Sequence, residues 1–343
     1  MEEFFNYLDH LPPGSFERTL FTLLEQPAAL LTVAALIEML LPLPGSWRLG
    51  RLAPIFTAMA SKVNLPENTP NQTYLAGMLL PLLVVVLLLT LMLGLSLLAG
   101  FDNYLALVLL PLLLEARLSL RLTTPAMRAL DEGHKEEARR LLKHAVLRET
   151  ARLSPMGMCK AATELCLQRT FACWFAVMVW YLLAGLSGAL MMQLTAVLAR
   201  TFSDKDPRYK LFSTALTRAY HVLLLPPALF LGLTMMFSFV PSMHIRRGLQ
   251  AARAYPAAAA GFVLGVMGSC LNLSLGGPRY YAGTLIRYER IGGLHAPDSS
   301  SPLKAFRRIR LCGLILMCAW LIITAFTLPA ATLPLPQGGI QTV

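Results

Sequence analysis

Side chains able to do acid, amine or phosphate chemistry gather in three short stretches of this chain. They are Arg148-Glu149-Thr150, Lys160-Ala161-Ala162-Thr163-Glu164, and Leu275-Gly276-Gly277-Pro278-Arg279-Tyr280-Tyr281-Ala282-Gly283. Carboxylates hold amines or hard cations, guanidinium groups fork onto phosphate oxygens, and paired glycines let a backbone approach a ligand closely. Ser154-Pro155 is a helix-start signal, and a helix begun there sets Lys160 and Glu164 four residues apart on one face. Two readings of that pair stand: an exposed helical ion pair, or the wall of a site holding a carboxylate against a phosphate-bearing substrate. The glycine stretch also has two readings, a membrane-exit turn with interfacial tyrosines or one side of an anionic-ligand site.

Familiar enzyme signatures are missing. The chain has no GxxxxGK[ST] phosphate loop, no dinucleotide fingerprint after a strand, no HExxH and no GxSxG. Six cysteines contain no CxxC pair, and the seven-residue recurrence of Cys159, Cys166 and Cys173 reads as one packed helix face. Of six histidines, only His221 and His244 fall beside an apolar run, where an interfacial role is expected.

The elements that must position these groups are membrane helices. Only 14% of the residues are charged, 56% are apolar, and the mean hydropathy is +0.57, a composition of polytopic membrane proteins rather than soluble domains. Uncharged intervals run between Glu67 and Asp102, Arg169 and Arg200, Arg253 and Arg279, and onward from Leu311; each exceeds the roughly 20 residues that cross a hydrocarbon core. The net charge of +11 resides in loops between apolar runs, which points to membrane topology and anionic lipid rather than nucleic acid.

Along the chain, residues 1–26 are acidic, with no secretory cleavage signal, and are expected on the external side. An apolar segment from Pro27 to Pro44 carries the lone carboxylate of Glu38, which marks either a function or an interface. Residues 73–99 are the clearest transmembrane helix, and 104 to about 122 are expected to return across the membrane. From Arg117 to Lys160 ten basic residues face five acidic ones, so the loop at about 117–169, with those at 200–219 and 279–310, is assigned to the cytoplasm. The 30 uncharged residues from 170 to 199 hold Gly185-Leu186-Ser187-Gly188 near their middle and lie between two cytoplasmic loops. That favours a broken or re-entrant hairpin, permitted where protein or a water-filled cavity satisfies the backbone. The run 222–243, interrupted by Pro226-Pro227, either turns back or crosses once. Residues 254–278 and 311–332 are further segments, followed by a tail at 333–343. The expected fold is all-α, a single membrane domain over 27–332 with five to eight membrane segments and helical cytoplasmic loops.

In order along the chain, Arg48-Leu49-Gly50-Arg51-Leu52, Arg117 to Arg121, Arg128-Ala129-Leu130 with Gly133 and Ala138-Arg139, Arg148-Glu149-Thr150, Ala161-Ala162-Thr163-Glu164, Pro207-Arg208-Tyr209 and Leu275 to Gly283 resemble the CobD/CbiB cobalamin-biosynthesis family. The resemblance covers about residues 30 to 310. It implies an inner-membrane protein of a Gram-negative bacterium and the activity of adenosylcobinamide-phosphate synthase. That enzyme joins adenosylcobyric acid to aminopropanol phosphate through an amide, with ATP hydrolysis and Mg²⁺. On this resemblance Glu149 and Glu164 are the candidate catalytic carboxylates, handling metal or amine. Arg148, Arg208 and Arg279 are candidate phosphate contacts, and Gly276, Gly277 and Tyr281 complete the substrate-binding set.

The departures from the family pattern are concentrated in acids. Arg-Asp-Thr is Arg148-Glu149-Thr150 here, and of three acids in the next motif only Glu164 remains, followed by Gln168-Arg169 and Ala172. A family Asn-Thr-Leu-Asp-Ser-Met is lost near Ala196 to Thr201, and a family Arg-Leu-Asp-Asp falls on Arg218-Ala219-Tyr220-His221. Ser-Pro-Asn becomes Tyr255-Pro256-Ala257-Ala258-Ala259-Ala260. Hard cations require such oxygens, so the pattern also resembles the AmpE-type inner-membrane proteins, a branch without the full motif set. A non-catalytic membrane scaffold or regulator is therefore the alternative expectation.

Overall fold

The computed structural model describes residues 26–41, 43–99, 102–281 and 283–327. The expectations for residues 1–25, for the 328–332 end of the last span and for the 333–343 tail lie outside the described residues. Apolar composition sets the architecture. Helix α1 (Pro27–Leu40) leads through two short 3₁₀ turns to α2 (Ala53–Val63), then α3 (Pro70–Ala99) and α4 (Asp102–Leu113). Charged helices α5 (Leu118–Asp131) and α6 (Lys135–Lys143) precede α7 (Pro155–Thr170), a π-helical turn at Phe171–Phe175 and α8 (Ala176–Thr201). Then follow α9 (Thr214–Leu223), α10 (Leu225–Thr234), α11 (Pro241–Ala254) and α12 (Ala258–Cys270), four short strands, and α13 (Ser301–Thr327).

Three stretches are long and apolar enough to cross a membrane, Pro70–Leu97, Pro155–Thr201 and Thr214–Phe237; α1 and α12 are shorter apolar helices. The chain is an all-α polytopic membrane protein. Helix α3 leaves Leu79, Leu82, Leu83, Leu87 and Leu91 exposed, the surface that lipid would cover. The main core centres on the π turn, where Phe171, Trp174 and Phe175 are fully buried. Gly313 of α13 admits the Trp174 indole, since a Cβ there would lie 2.4 Å from Cζ3.

The 170–199 run doubles back. Ala184 (φ −139°, ψ 21°) and Gly185 (φ 63°, ψ −157°) leave helical geometry, and glycine alone tolerates the latter conformation readily. A Cβ on Gly188 would lie 2.5 Å from the Trp180 carbonyl oxygen, so the chain has folded onto its preceding turn. As a result Arg200 and Cys173 both line one cavity, though in a continuous helix those residues would stand about 40 Å apart. The expected return span at 104–122 is two helices instead. Helix α4 stops at Leu113, the Glu115 backbone N–H donates to the Cys173 carbonyl, and α5 is amphipathic, burying Ser119, Thr123, Ala126, Met127 and Ala129. The 222–243 run likewise divides, into α10 and the start of α11.

Helices α11 and α12 approach closely because glycines face the contact: Cβ atoms on Gly261 and Gly265 would meet the carbonyl oxygens of Ala251 and Arg247 at 2.5 and 2.8 Å. Beyond α12, β1 (Ser274–Gly276) pairs antiparallel with β4 (Arg290–Gly292), and β2 (Arg279–Tyr281) with β3 (Thr284–Ile286). The positive φ of Gly276 and Gly277, 77° and 90°, turns the chain from one ribbon into the other. The segment 279–292, expected as part of a helical loop, instead carries three of the four strands of two β-ribbons.

Candidate functional site

Ser154 caps α7 by accepting a hydrogen bond from the Gly157 N–H at 3.1 Å, with Pro155 in the first turn. The helix so started carries Glu164 into the interior, where its side chain is 4% exposed. There one carboxylate oxygen accepts the Gly276 N–H at 2.6 Å and forms an ion pair with an Arg279 NH2 at 3.0 Å, while the other accepts from an Arg148 NH2 at 3.1 Å. The exposed Lys160–Glu164 ion pair is thus replaced by a buried cluster joining three distant stretches. Burial works against the Arg279 charge, but Glu164 and nearby tyrosines outweigh it and raise its pKa above the usual guanidinium value. For Arg148 burial prevails over Glu164 and lowers the pKa.

Tyrosines complete this wall. Tyr255 and Tyr288 stack with centroids 5.0 Å apart, and the Arg279 guanidinium lies 4.8 Å from the Tyr288 centroid. Burial pushes the Tyr255 hydroxyl up to about 12. A Cβ on Gly276 would lie 2.2 Å from the Glu289 carbonyl oxygen and 2.6 Å from the Tyr255 hydroxyl, so only glycine fits the turn. Lys205 sits 5.7 Å from the Tyr281 ring centroid and pairs with Asp204 at 2.9 Å.

These groups face a cavity of about 540 Å³ between α7, the α8 hairpin, α9 and the glycine turn. Five cationic side chains line it, Arg148, Arg169, Arg200, Lys205 and Arg279, against the acids Glu115, Glu164 and Asp204. Arg169 and Arg200 come together because the hairpin closes, and Nε of the first and an NH1 of the second are buried without a hydrogen-bond partner. Unpartnered buried donors are costly unless an anion or water accepts from them. Sequence reasoning missed this pair, although its signal was present: the two arginines bracket the uncharged run, and a hairpin brings its ends together.

Of the sequence-predicted residues, Arg148, Glu164, Arg279 and Tyr281 line the cavity, and Gly276 binds Glu164 directly. Gly277 stands beside them, with the Lys160 ammonium 4.0 Å from where its Cβ would be. Glu149 lies outside the cavity lining. Its carboxylate accepts from the Gly283 N–H and its backbone N–H donates to the Tyr280 carbonyl at 2.9 Å, so it clamps the β2–β3 ribbon. Arg208 is exposed, pairs with Asp206 at 2.7 Å and is not among the lining residues. His221 does line the cavity, whereas His244 bonds Ser269 at 2.9 Å.

A protein-held Mg²⁺ does not fit this donor set. Among the described residues no three His, Cys, Asp or Glu side chains group as a metal cage. Both Glu164 oxygens are engaged by N–H donors and one Asp204 oxygen by Lys205, so Glu115, with an unpartnered Oε1, is left as a single carboxylate rather than a cage. An anion suits the cavity better.

Fold and site together define an α-helical membrane protein with a predominantly cationic cavity beside a glycine turn. The chain belongs to the CobD/Cbib protein family, whose profile matches residues 31–311. It is similar to three proteins each described as "Cobalamin biosynthesis protein CobD". That of Stutzerimonas stutzeri (strain A1501) is 29% identical over 205 residues, 60% of this chain and 68% of the relative. That of Chromobacterium violaceum is 30% identical over 156 residues, 46% and 50% of the two chains. That of Sinorhizobium fredii (strain NBRC 101917 / NGR234) is 26% identical over 169 residues, 46% and 51%. The alignments thus span about half the length of the second and third relatives. No solved structure matches the chain.

Proposed function

We propose that this chain acts in cobalamin biosynthesis in a bacterial inner membrane, with its basic loops cytoplasmic, and that its cavity receives aminopropanol phosphate for joining to adenosylcobyric acid. The observation that carries this reading is the five-to-three excess of cationic side chains around the cavity, with buried donors on Arg169 and Arg200 still unpartnered. Glu164 is already paired with Arg148 and Arg279, so those two arginines shape the wall. The phosphate falls to Arg169, Arg200 and Lys205. A volume of about 540 Å³ suits the small amine rather than a corrin ring, and the corrinoid lies across the mouth. Amide formation formally releases water, which hydrolysis of ATP takes up; no step is assigned to a metal held by the chain.

A second reading, a catalytically degenerate scaffold of the AmpE type, is favoured by the saturation of Glu164: neither of its oxygens is free to accept a proton from an amine. Complementation of a synthase-deficient strain fed adenosylcobyric acid separates the two. Growth that is lost with Arg200→Ala and kept with Arg208→Ala supports the synthase. Failure of the wild-type chain despite good membrane expression sinks it in favour of the scaffold.

A further inference from the structure

A second groove, sharing no residue with the cavity described above, opens between α5 and α13 with a volume of about 650 Å³. Four arginines line it: Arg117 and Arg121 from the start of α5, and Arg307 and Arg310 from α13. No acidic side chain lines it, and its floor is apolar, with Leu120, Pro125, Leu303 and Phe306. Arg117 donates to the Met39 carbonyl at the C-terminal end of α1, and Arg310 reaches the Met39 sulfur and lies 5.3 Å from the Phe306 ring centroid. The nearby carboxylate, Glu38, is buried behind them and paired with Arg48 at 3.7 Å. Among the described residues Arg121 and Arg307 have neither an ion pair nor a side-chain hydrogen bond, and both are exposed.

Four guanidinium groups in one groove repel one another; Glu38, behind them, offsets part of the charge of Arg117 and Arg310 without forming an ion pair to either, and Arg121 and Arg307 have no ion pair among the described residues. Such a cluster is stable when an anion spans it. The position identifies the anion. Immediately beyond Arg310, α13 runs uncharged from 311 to 327 and exposes Leu311, Leu314, Ile322, Ile323 and Phe326. A polar ligand alone would have no use for that apolar strip, whereas acyl chains would cover it.

We propose that this groove binds the headgroup of an anionic phospholipid, its phosphates taken by Arg117, Arg121, Arg307 and Arg310 and its acyl chains lying along α13. Basic pockets between membrane helices suit multiply charged headgroups of this kind.

The test uses the full chain, purified in a zwitterionic detergent, with cardiolipin, phosphatidylcholine and inorganic phosphate as separate additions. Cardiolipin is expected to raise the unfolding temperature by several degrees, phosphatidylcholine and inorganic phosphate by none. The double variant Arg121→Gln/Arg307→Gln is expected to lose most of that shift. Native mass spectrometry of the wild-type chain provides a readout independent of the variant, with retention of cardiolipin at least tenfold above phosphatidylcholine. Equal stabilisation by phosphatidylcholine, equal retention of the two lipids, or an undiminished shift in a folded double variant overturns the proposal. A shift from inorganic phosphate matching that from cardiolipin overturns the lipid assignment in favour of a soluble phosphate ligand.

Discussion

The Glu164 carboxylate and the Arg279 guanidinium lie 3.0 Å apart in the protein interior, although they come from α7 and from the ribbon after α12. The same oxygen takes the Gly276 N–H, and Arg148 occupies the other. One carboxylate therefore neutralises part of a two-arginine charge and fixes the glycine turn against α7. Replacing it by Glu164→Gln removes the charge while leaving both arginines buried. Breaking a buried pair in this way costs about 3–5 kcal/mol, so the variant should unfold well below the wild type in a detergent thermal scan. Arg148→Met combined with Glu164→Gln should recover part of the loss, because one fewer guanidinium is left without its partner. An unchanged melting temperature in Glu164→Gln would show the cluster to be structurally dispensable.

The glycine turn separates space from backbone conformation. Gly276 and Gly277 both have positive φ, a conformation that costs other residues roughly 1–2 kcal/mol. Only at Gly276 would a Cβ also collide, with the Glu289 carbonyl oxygen and the Tyr255 hydroxyl. Gly276→Ala should be the more damaging by a clear margin, and Gly277→Ala should lose only the backbone contribution. The comparison is made from the melting temperatures of the two variants. Equal losses would mean that the ribbon shifts freely and that the tight turn is not what positions Arg279.

What could be read beforehand follows the range of the forces involved. Membrane helices announce themselves by composition over some twenty residues, so the helical class, the break within the 170–199 run and the Ser154-Pro155 start were legible. The burial of Glu164 was not, because helical spacing offered Lys160 as its partner while the real partners, Arg148 and Arg279, lie on other elements. Glu149 and Arg208 were singled out by motif order, which does not say where a side chain ends. The first closes a ribbon and the second stays outside the cavity lining. The β-ribbons at 274–292 escaped notice because three-residue strands have no measurable periodicity.

Alkaline stability should report on Tyr255. Burial raises its pKa to about 12, while in an unfolded chain a tyrosine ionises near 10. A raised folded-state pKa leaves the contribution intact below about pH 10, and stability falls as pH rises from there towards 12. The loss at the upper end is on the order of 2–3 kcal/mol. Unfolding temperatures measured between pH 9 and 12 should decline for the wild type and decline less steeply for Tyr255→Phe, which cannot ionise. Identical slopes would place the ionising group elsewhere, with Tyr288, also raised chiefly by burial, the next to replace.

The cavity depends on the hairpin at Ala184–Gly185, and that dependence can be measured as a distance. Gln168 and Thr201 both line the cavity, whereas a continuous helix would separate them by about 50 Å. Spin labels at these two positions, in a background with the six native cysteines replaced, should give a pulsed-resonance distance below about half that value. Gly188→Leu should widen or broaden the distribution, because a Cβ at that position would lie 2.5 Å from the Trp180 carbonyl oxygen and 2.8 Å from the Ala184 Cβ. Gly185→Ala has open space around it and meets only the backbone penalty of its positive φ, so it should lower the melting temperature while keeping the short distance. A distance near 50 Å in the unsubstituted hairpin would separate Arg169 from Arg200 and remove the charge pair on which the proposed phosphate binding rests.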